Sequence, residues 1–567
     1  MNRDKNTFKI NRKRIYFLFI LFFIAFSLIS YRLVSIQYLD ASRYKNYAQF
    51  QHTDEFKLYS KRGKIFDRNG IELAISLIEK TIYANPQEVL DPSYQAEILS
   101  GLLDIDKEEL ELKLSDKELG FVYLKRKVAS EEAEEVANLG LHGIYIQDET
   151  KRYYPQDELA AQIVGFTGTD DIGLYGIEIQ YESILRGVDG KAVAEKDVFG
   201  NVIPGNIKSY IDPVDGKDIV LTIDSQIQYI TEKNLEQVCK DYNASGATAI
   251  VMDPNSGEIF AMATYPSFDP NNYQDFDANQ YKAGAISFTY EPGSTFKVIN
   301  VAGALENNTV GKDQVFDLPP SIRVSDRIIK EIFRTSNIQY STREIIQYSS
   351  NVGAVMLALS MGDKLYWENM NKFGFGQVTG LELPGEENGI VHDYKTWPAS
   401  TIGALAIGQS VSVTPLQLLR AVSSIANGGY LIKPTILKEI KLGDLNGSGD
   451  PDNKIQIISN STSVSIKEMM LAVVENGTGT RAQIEGIEVC GKTGTAEKAN
   501  ENGIGYSEGR SITSFIGFAP YDDPEIAIIV VVDEPKGEER TVWGGTVAAP
   551  VFKNIMEYSL NRLKVLK

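Results

Sequence analysis

A serine and a lysine three positions apart, Ser294 and Lys297, are the residues best suited to do chemistry in this chain. Side chains with this spacing on a helix lie about 5–6 Å apart at Cβ. The lysine amine can then take the proton of the serine hydroxyl and make it a nucleophile without a histidine. His52, His142 and His392 are all distant in sequence from this pair. If acyl transfer occurs here, lysine is the expected base.

The residues around this pair predict the start of a helix. Residues 291–293, Glu-Pro-Gly, interrupt regular structure before Ser294, and an apolar stretch runs from Phe296 to Leu305. A helix amino terminus favours a developing negative charge because its N–H groups are free and its dipole is positive there. Burial of Lys297 would lower its pKa towards neutrality. Ser-x-x-Lys alone is a common pattern, so this context matters more than the motif.

Two further polar motifs follow. Ser349-Ser350-Asn351 precedes the apolar patch Val352–Leu359, and helix capping alone would explain one of its serines. Lys492-Thr493-Gly494-Thr495 follows an alternating segment that is typical of a half-exposed strand. Gly494 leaves this strand without a side chain, so we expect a ligand backbone to add along its edge.

The last motif has a rival interpretation as a nucleotide site. Residues 486–493 match the phosphate-loop pattern G-x-x-x-x-G-K-T. That loop needs a strand before it and a helix after it, with a compact turn between them. Here the intervening residues are strand-like, and the Gly and Asn residues of 494–503 make a poor helix. We therefore do not expect a nucleotide site.

The amino-terminal segment predicts a membrane anchor. The first fourteen residues carry six bases and one acid, and residues 15–31 are uncharged and rich in Phe, Leu and Ile. This run is short for a span, but Arg32 can reach the interface and extend it. The basic flank places the amino terminus in the cytoplasm. We predict a cytoplasmic tail over 1–14, one span over 15–37 and an extracytoplasmic remainder.

Two other interpretations of this segment are weaker. A cleavable signal peptide would begin in the same way, and Ala25-Phe26-Ser27 resembles a cleavage site. These residues lie inside the apolar run, however, and the run is longer than that of a usual signal. A buried core helix is the remaining alternative.

Length, charge and cysteine content limit the other possibilities. A chain of 567 residues is expected to hold about three domains. The net charge is −19, and because the first fourteen residues contribute +5, the rest carries −24. This acidity argues against nucleic acid or anionic lipid as the main partner. Cys239 and Cys490 show no metal-ligand spacing; they would form a bridge or remain as two buried thiols.

The pattern after the anchor predicts two domains. Residues 38–215 alternate between short strand and helix patterns. In residues 216–567, paired apolar runs at 247–263 and 514–532 predict hairpins, with mostly helical patterns between them. Strands at both ends and helices in the middle favour an α+β domain whose first and last segments share one antiparallel sheet. Residues 442–456, rich in Gly, Asn and Asp, are predicted to form an exposed loop.

Taken in order, the three motifs resemble those of penicillin-binding proteins and serine β-lactamases, S-x-x-K, S-x-N and K-T-G. Flanking segments resemble the pedestal and the transpeptidase domain of the class B penicillin-binding proteins, in the division or sporulation branch. The pedestal segments are Arg62–Gly70, Gly176–Glu178 and Leu185–Gly187. The transpeptidase segments are Leu221–Asp224, Val413–Gln417, Ala426–Gly429 and Ala548–Phe552.

The resemblance implies D-alanyl-D-alanine transpeptidation, which cross-links peptidoglycan stem peptides and is inhibited by β-lactams. Lys297 would take the proton from Ser294, which attacks the penultimate D-Ala carbonyl and releases the last D-Ala. The N–H groups of Ser294 and Thr495 would hold the oxyanion. No cofactor and no metal are implied. A membrane-embedded glycan polymerase and divisome-type proteins are the implied partners.

The resemblance also implies roles for the other motif residues. Ser349 would pass a proton to the leaving amine, assisted by Lys492, and Asn351 would orient Lys297 and the donor amide. The residues implied to bind the substrate are Thr493, Gly494 and Thr495. An amine from a neighbouring stem peptide then resolves the acyl-enzyme.

Three alternatives stay open at this stage. A D,D-carboxypeptidase or a β-lactam-hydrolysing relative would use the same motifs. A non-catalytic membrane scaffold would need none of them. Labelling by a fluorescent penicillin that depends on Ser294 separates an enzyme from a scaffold, and steady β-lactam turnover would indicate the hydrolase.

Overall fold

The computed structural model describes residues 12–45, 53–196, 202–332, 334–442, 445–446, 454–500, 505–538 and 542–564. Its contacts divide the chain into two units. The first unit contains Met1–Ser60 and Val188–Asp215, and the second contains Lys61–Gly187 and Gly216–Lys567.

The helices are numbered in chain order. They are α1 Arg12–Val34, α2 Pro92–Leu103, α3 Lys107–Ser115, α4 Ser130–Asn138, α5 Ala161–Val164, α6 Gly176–Gln180, α7 Glu182–Leu185, α8 Ser225–Tyr242, α9 Gly284–Ser287, α10 Lys297–Glu306, α11 Thr342–Gln347, α12 Asn351–Lys372, α13 Thr401–Ala406, α14 Pro415–Ala426, α15 Asn460–Asn476 and α16 Ala548–Arg562.

The strands are numbered in the same way. They are β1 Thr53–Leu58, β2 Ile65–Phe66, β3 Glu72–Ala84, β4 Val122–Val128, β5 Ile144–Tyr153, β6 Gly190–Lys196, β7 Val202–Ile211, β8 Ile219–Leu221, β9 Gly246–Met252, β10 Ile259–Tyr265, β11 Val315–Leu318, β12 Ser321–Val324, β13 Arg327–Lys330, β14 Ile338–Ser341, β15 Tyr430–Ile432, β16 Leu437–Leu442, β17 Leu445–Asn446, β18 Lys454–Gln456, β19 Cys490–Ala499, β20 Tyr506–Ala519 and β21 Ile526–Asp533.

The first unit contains the apolar amino-terminal helix. Among the described residues, one helical stretch, Arg12–Leu39, is long and apolar enough to cross a membrane. Its large apolar side chains are exposed, which is expected of a helix whose solvent is lipid rather than water. This helix fits a single-pass anchor; residues 1–11 of the predicted tail lie outside the described residues. The same unit holds the antiparallel sheet β1-β6-β7.

The part of the second unit before residue 187 contains a small lobe and a buried charge cluster. Strands β3, β4 and β5 pair antiparallel, and α2 to α4 pack on them around Leu99, Leu110 and Val136. The Glu178 carboxylate, fully buried, accepts from Arg62 Nε and Arg152 Nε, each at 2.6 Å. Arg62 also pairs with Glu182 at 2.7 Å, so two guanidinium groups and two carboxylates compensate one another and link the segments that carry them.

A turn at residues 67–70 connects two parts of this unit. The Asp67 carboxylate accepts from the N–H groups of Asn69 and Ile71, each at 2.8 Å, which closes the turn. It also accepts from Ser225 Oγ at 2.8 Å. Ser225 begins α8, and Asp224 caps this helix by accepting from the N–H of Gln226 at 3.0 Å.

The remaining part of the second unit is built on one antiparallel sheet of order β10-β9-β21-β20-β19. The two predicted hairpins, β9 with β10 and β20 with β21, share this sheet as predicted, whereas β8 pairs with β2 and β16 in another sheet. Side chains alternate between its faces: Ile529 packs with the helical layer that includes α10, α14 and α15, and Val530 packs with α8 and α16. β19 lies at the edge of the sheet, so one side of it is free for a ligand.

Three local predictions can be compared with these elements. Most of the loop expected over 442–456 lies outside the described residues, and its described part contains strands β17 and β18. The phosphate-loop alternative lacks its structural context, because Lys492 lies inside β19, which continues as a strand to Ala499. Cys239 and Cys490 are both free and buried, which decides between the two alternatives for them.

Candidate active site

The predicted nucleophile lies on a tight turn before a buried helix. A single 3-10 turn, Gly293–Phe296, leads directly into α10 at Lys297. Gly293 has a positive φ of 58°, and its N–H donates to the Gly408 carbonyl at 3.1 Å. Ser294 is half-buried at this helix start, as the sequence predicts, and faces a cleft of about 500 Å³.

The amine of Lys297 connects the first two motifs. Its Nζ donates to the Ser349 carbonyl at 2.7 Å, to Asn351 Oδ1 at 2.7 Å and to Ser349 Oγ at 3.3 Å. The side chain is fully buried, and this burial lowers the pKa of Lys297 to about 7, while the negative charge of Glu331 opposes the shift. A lysine of this pKa is half neutral at neutral pH and can accept a proton.

Ser349 lies between two amines. Lys492 Nζ donates to Ser349 Oγ at 3.0 Å and to the Thr493 carbonyl at 3.0 Å. Burial and the nearby charge of Lys297 lower the pKa of Lys492 well below that of an ordinary lysine. Ser349 adopts a positive φ of 58°, a strained backbone conformation for a residue other than glycine. The structure therefore brings residues from all three motifs into one hydrogen-bonded group.

Ser294 itself stands beside this group without a hydrogen bond. Among the described residues, the Ser294 hydroxyl has no hydrogen-bond partner, and the bonds of Lys297 Nζ go to Ser349 and Asn351. Catalytic hydrogen bonds are often long in the unliganded state and shorten when substrate binds. The pairing of serine with lysine thus requires one of these side chains to move.

The third motif lies along the edge strand β19. Thr495 Oγ1 accepts from the Gly544 N–H at 3.1 Å, and the hydroxyls of Thr493 and Thr478 are 2.8 Å apart. A Cβ on Gly494 would lie 2.4 Å from an Oγ on β20 and 2.9 Å from Thr295 Cγ2. The missing side chain therefore makes room for β20 and for the serine turn. The strand edge remains available, and the addition of a ligand backbone along it stays a prediction.

Glu331 is a residue of this site that sequence reasoning missed. Its carboxylate accepts from Ser350 Oγ at 2.5 Å and from the N–H groups of Val352 at 3.0 Å and Asn351 at 3.3 Å. Arg334 Nη2 lies 3.2 Å from it. The carboxylate thus satisfies free N–H groups at the start of α12 and fixes the turn that presents Ser349 and Asn351.

The cleft is also lined by residues that none of the three motifs indicates. The residues lining it are Ser294, Glu331, Ile332, Arg334, Tyr340, Tyr348, Ser349, Ser350, Thr478, Thr480, Arg481, Thr493, Thr495, Trp543, Gly544, Gly545 and Thr546. Several of these come from residues 331–348 and 543–546, which are far from the motifs in sequence. The Gly pair after Trp543 is a turn signal that points to a close approach of backbones. A Cβ on Gly544 would lie 2.3 Å from the Gly494 carbonyl.

Comparison with known protein families decides the family. A model of the penicillin-binding protein transpeptidase domain matches residues 247–557, and a model of the penicillin-binding protein dimerisation domain matches residues 57–221. The chain belongs to the class B penicillin-binding proteins. The resemblance inferred from the motifs is confirmed, and the transpeptidase domain makes this penicillin-binding protein a serine-type acyltransferase.

Individual relatives agree with this assignment. Stage V sporulation protein D of Bacillus subtilis is 36% identical to this penicillin-binding protein over 564 residues, which cover 98% of this chain and 86% of that protein. Peptidoglycan D,D-transpeptidase FtsI of Escherichia coli is 31% identical, with 89% and 84% covered. The crystal structure of penicillin-binding protein 3 from Mycobacterium tuberculosis, complexed with aztreonam, superimposes with a TM-score of 0.71 at 27% identity, covering 90% of this chain and 98% of that one.

Proposed function

We propose that this chain is a peptidoglycan D,D-transpeptidase that cross-links stem peptides through an acyl-enzyme on Ser294. The observation that carries the proposal is the hydrogen-bonded group of Lys297, Ser349 and Lys492, whose central residue Ser349 lines the same cleft as Ser294. The names of the relatives support the same reaction, because FtsI of Escherichia coli is named a peptidoglycan D,D-transpeptidase.

In the acylation step, Ser294 Oγ attacks the carbonyl carbon of the penultimate D-Ala. Neutral Lys297 takes the hydroxyl proton as the C–O bond forms. The oxyanion is held by the N–H groups of Ser294 and Thr495, each donor contributing on the order of 3 kcal/mol. The peptide C–N bond then breaks, and the terminal D-Ala leaves as an amine that must gain a proton.

The proton reaches the leaving amine through Ser349. Its hydroxyl lies 3.3 Å from Lys297 Nζ and 3.0 Å from Lys492 Nζ, so it can receive a proton on one side and donate on the other. Asn351 holds Lys297 with its Oδ1 and orients the donor amide. The substrate carboxylate is bound by Lys492, Thr493 and Thr495, and the backbone of Gly494 forms part of the strand edge that receives the donor.

An amine on a neighbouring stem peptide completes the reaction. It attacks the Ser294 ester carbonyl, loses a proton to Lys297, and restores the serine hydroxyl as the new amide forms. A β-lactam enters the same first step and stays attached to Ser294. The aztreonam complex of the Mycobacterium tuberculosis relative supports binding of β-lactams in this fold.

The proposal is tested with a fluorescent penicillin and the purified full-length protein. We expect covalent labelling that Ser294→Ala abolishes. Ser465→Ala, a change at a serine of α15 away from the cleft, serves as the matched control and should label as the parent does. An unlabelled parent protein would refute the enzyme, and rapid loss of label with continued penicillin consumption would favour a β-lactam hydrolase.

A donor thioester separates transpeptidation from carboxypeptidation. With an amine acceptor present, a transpeptidase forms the amide product, whereas a D,D-carboxypeptidase forms only the hydrolysed acid. The ratio of the two products, measured by mass spectrometry at increasing acceptor concentration, should rise in favour of the amide. A ratio that stays at zero would assign the carboxypeptidase activity instead.

We also propose an arrangement of the chain in the membrane. Residues 1–14 form a cytoplasmic tail, 15–37 the span, 38–215 the pedestal and 216–567 the transpeptidase domain outside the membrane. The basic residues before the span support this orientation. The test uses intact cells with an opened wall and a thiol reagent that does not cross membranes. The reagent should modify a cysteine that replaces the exposed Lys117, and it should not modify a cysteine that replaces Asn2.

The glycan strands for this reaction come from a polymerase. We propose that a membrane-embedded glycan polymerase and division-type proteins are its partners, through the anchor and the pedestal. Crosslinking in cells followed by purification of the full chain should recover such a polymerase. Replacing residues 12–39 with an unrelated span tests whether the anchor contributes to this association.

A further inference from the structure

A second cavity opens on the other side of the serine turn. It has a volume of about 840 Å³, and its walls include Glu291, Trp397 and Glu497. Glu291 lies three positions before Ser294, and Glu497 lies two positions after Thr495 on β19. One strand thus borders both the catalytic cleft and this cavity, and none of the motif roles accounts for the cavity.

The charges in this cavity favour a cation. The exposed Glu497 side chain makes no hydrogen bond or ion pair with any other residue that the structure describes. Lys498, also in the wall, is already neutralised by Asp533 at 2.9 Å and Glu534 at 2.7 Å. Glu291 accepts from the Ser410 N–H at 2.8 Å and is therefore a fixed acidic part of the wall.

Aromatic side chains add to this preference. Phe288, Tyr290 and Trp397 line the same cavity. Ring faces attract ammonium groups and pack against the methylene groups that carry them. Arg327 acts electrostatically on Glu291, so Glu497 is the carboxylate whose charge is least opposed.

The position of Glu497 along β19 indicates which part of a substrate it meets. Side chains of Thr493, Thr495 and Glu497 point to the same face of the strand, because they alternate with a period of two. Towards its start the strand is closed, since all of residues 489–493, on both faces, are buried. A peptide bound with its terminal carboxylate at the two threonines can therefore extend only towards Glu497.

The distance fits one residue of the donor. Strands rise by about 3.3 Å per residue, so Glu497 lies roughly 6.6 Å beyond Thr495, or two residues along an added strand. Two residues upstream of the terminal D-Ala is the residue that precedes the D-Ala pair. Stem peptides act both as donors and as acceptors in this reaction, so a donor carries the same amine that an acceptor uses.

We infer that Glu497 and the cavity around it bind the amine-bearing side chain of the donor residue that precedes the D-Ala pair. This inference rests on the proposed transpeptidase function and adds a specificity determinant to it. Glu497 selects donors by charge at a position that takes no part in bond making.

Paired donor thioesters test the inference with the full-length protein. Both donors are N-acyl dipeptides in which D-Ala is esterified to a thiol leaving group. In one donor the preceding residue is lysine with a free side-chain amine, and in the other it is norleucine, which lacks the amine. Release of thiol is followed with a colorimetric thiol reagent, and kcat/KM is compared between the two. The enzymes are the parent, Glu497→Gln and Glu557→Gln, the last changing an exposed acid of α16 outside the cavity.

For the parent, we expect kcat/KM to be about tenfold higher with the lysine donor than with the norleucine donor. This is the effect of one ammonium group about 4 Å from a carboxylate at a partly exposed site. Glu497→Gln should reduce this preference to about twofold or less, and Glu557→Gln should keep it. Equal kcat/KM for both donors in the parent, or a preference that survives Glu497→Gln, overturns the inference. Because penicillin labelling is measured in the same preparations, loss of labelling would instead count against the proposed function.

Discussion

The environment of the Lys297 amine sets the pH dependence of Ser294 acylation. Burial lowers the pKa of Lys297 to about 7, although the charge of Glu331 raises it in part. Only the neutral amine can take the serine proton, so the rate should follow its population. For one group of this pKa, that population is about 9% at pH 6, about 50% at pH 7 and about 91% at pH 8. Burial and the nearby charge of Lys297 also lower the pKa of Lys492 well below that of an ordinary lysine.

The measurement is the second-order rate constant for labelling by a fluorescent penicillin between pH 5.5 and 8.5. The constant should rise about fivefold from pH 6 to pH 7, approach a tenfold rise per unit below pH 6, and level off above pH 8. Lys297→Arg, which keeps a positive charge but cannot lose its proton, should label at background rate throughout. A flat profile would refute the assignment of Lys297 as base. So would a rate that still climbs tenfold per unit at pH 8.5, as an ordinary lysine would give.

Three further predictions follow from the site and the pedestal. Glu331→Gln should move the midpoint of the same pH profile below 7, because the negative charge that it removes favours the ammonium form of Lys297. The control is Asp363→Asn, which changes an exposed acid on the helix that Glu331 caps and should leave the midpoint in place. Gly494→Ala should slow acylation by about 10²-fold, since its Cβ would lie 2.4 Å from a serine Oγ on β20 and displace the serine turn. Gly101→Ala, with nothing within 4 Å, should label normally. Glu178→Ala leaves the buried Arg152 guanidinium without a carboxylate, while Arg62 keeps its ion pair with Glu182 at 2.7 Å; it should destabilise the protein by about 3–5 kcal/mol, seen as a lower midpoint of thermal unfolding.

Features with a local signal were predicted well from the sequence. The helix from Ser225 to Tyr242 is marked by a capping aspartate, and the hairpins by turn residues between apolar runs. The order of the three motifs was enough to indicate the family. Such signals depend on neighbouring residues only, so they are visible without any knowledge of tertiary contacts.

Features that depend on distant segments were missed. Glu331 lies 20 positions before Asn351 in sequence, and only the fold brings its carboxylate to the start of α12. The contacts that require glycine at position 494 were missed for the same reason. A missing side chain in a strand indicates a close approach, but not which group fills the space. Here the space is filled by Ser514 Oγ on β20 and by Thr295 of the turn that carries Ser294.

The most direct test of the central claim is to trap and locate the acyl group transferred from a stem-peptide thioester. The full-length protein is quenched with acid during turnover and analysed by peptide mass spectrometry. The donor acyl mass should be found on the peptide that contains Ser294. When an amine acceptor is added, the amide product should accumulate. Donor consumption without a covalent adduct, or an adduct on Ser349 in place of Ser294, would contradict the account.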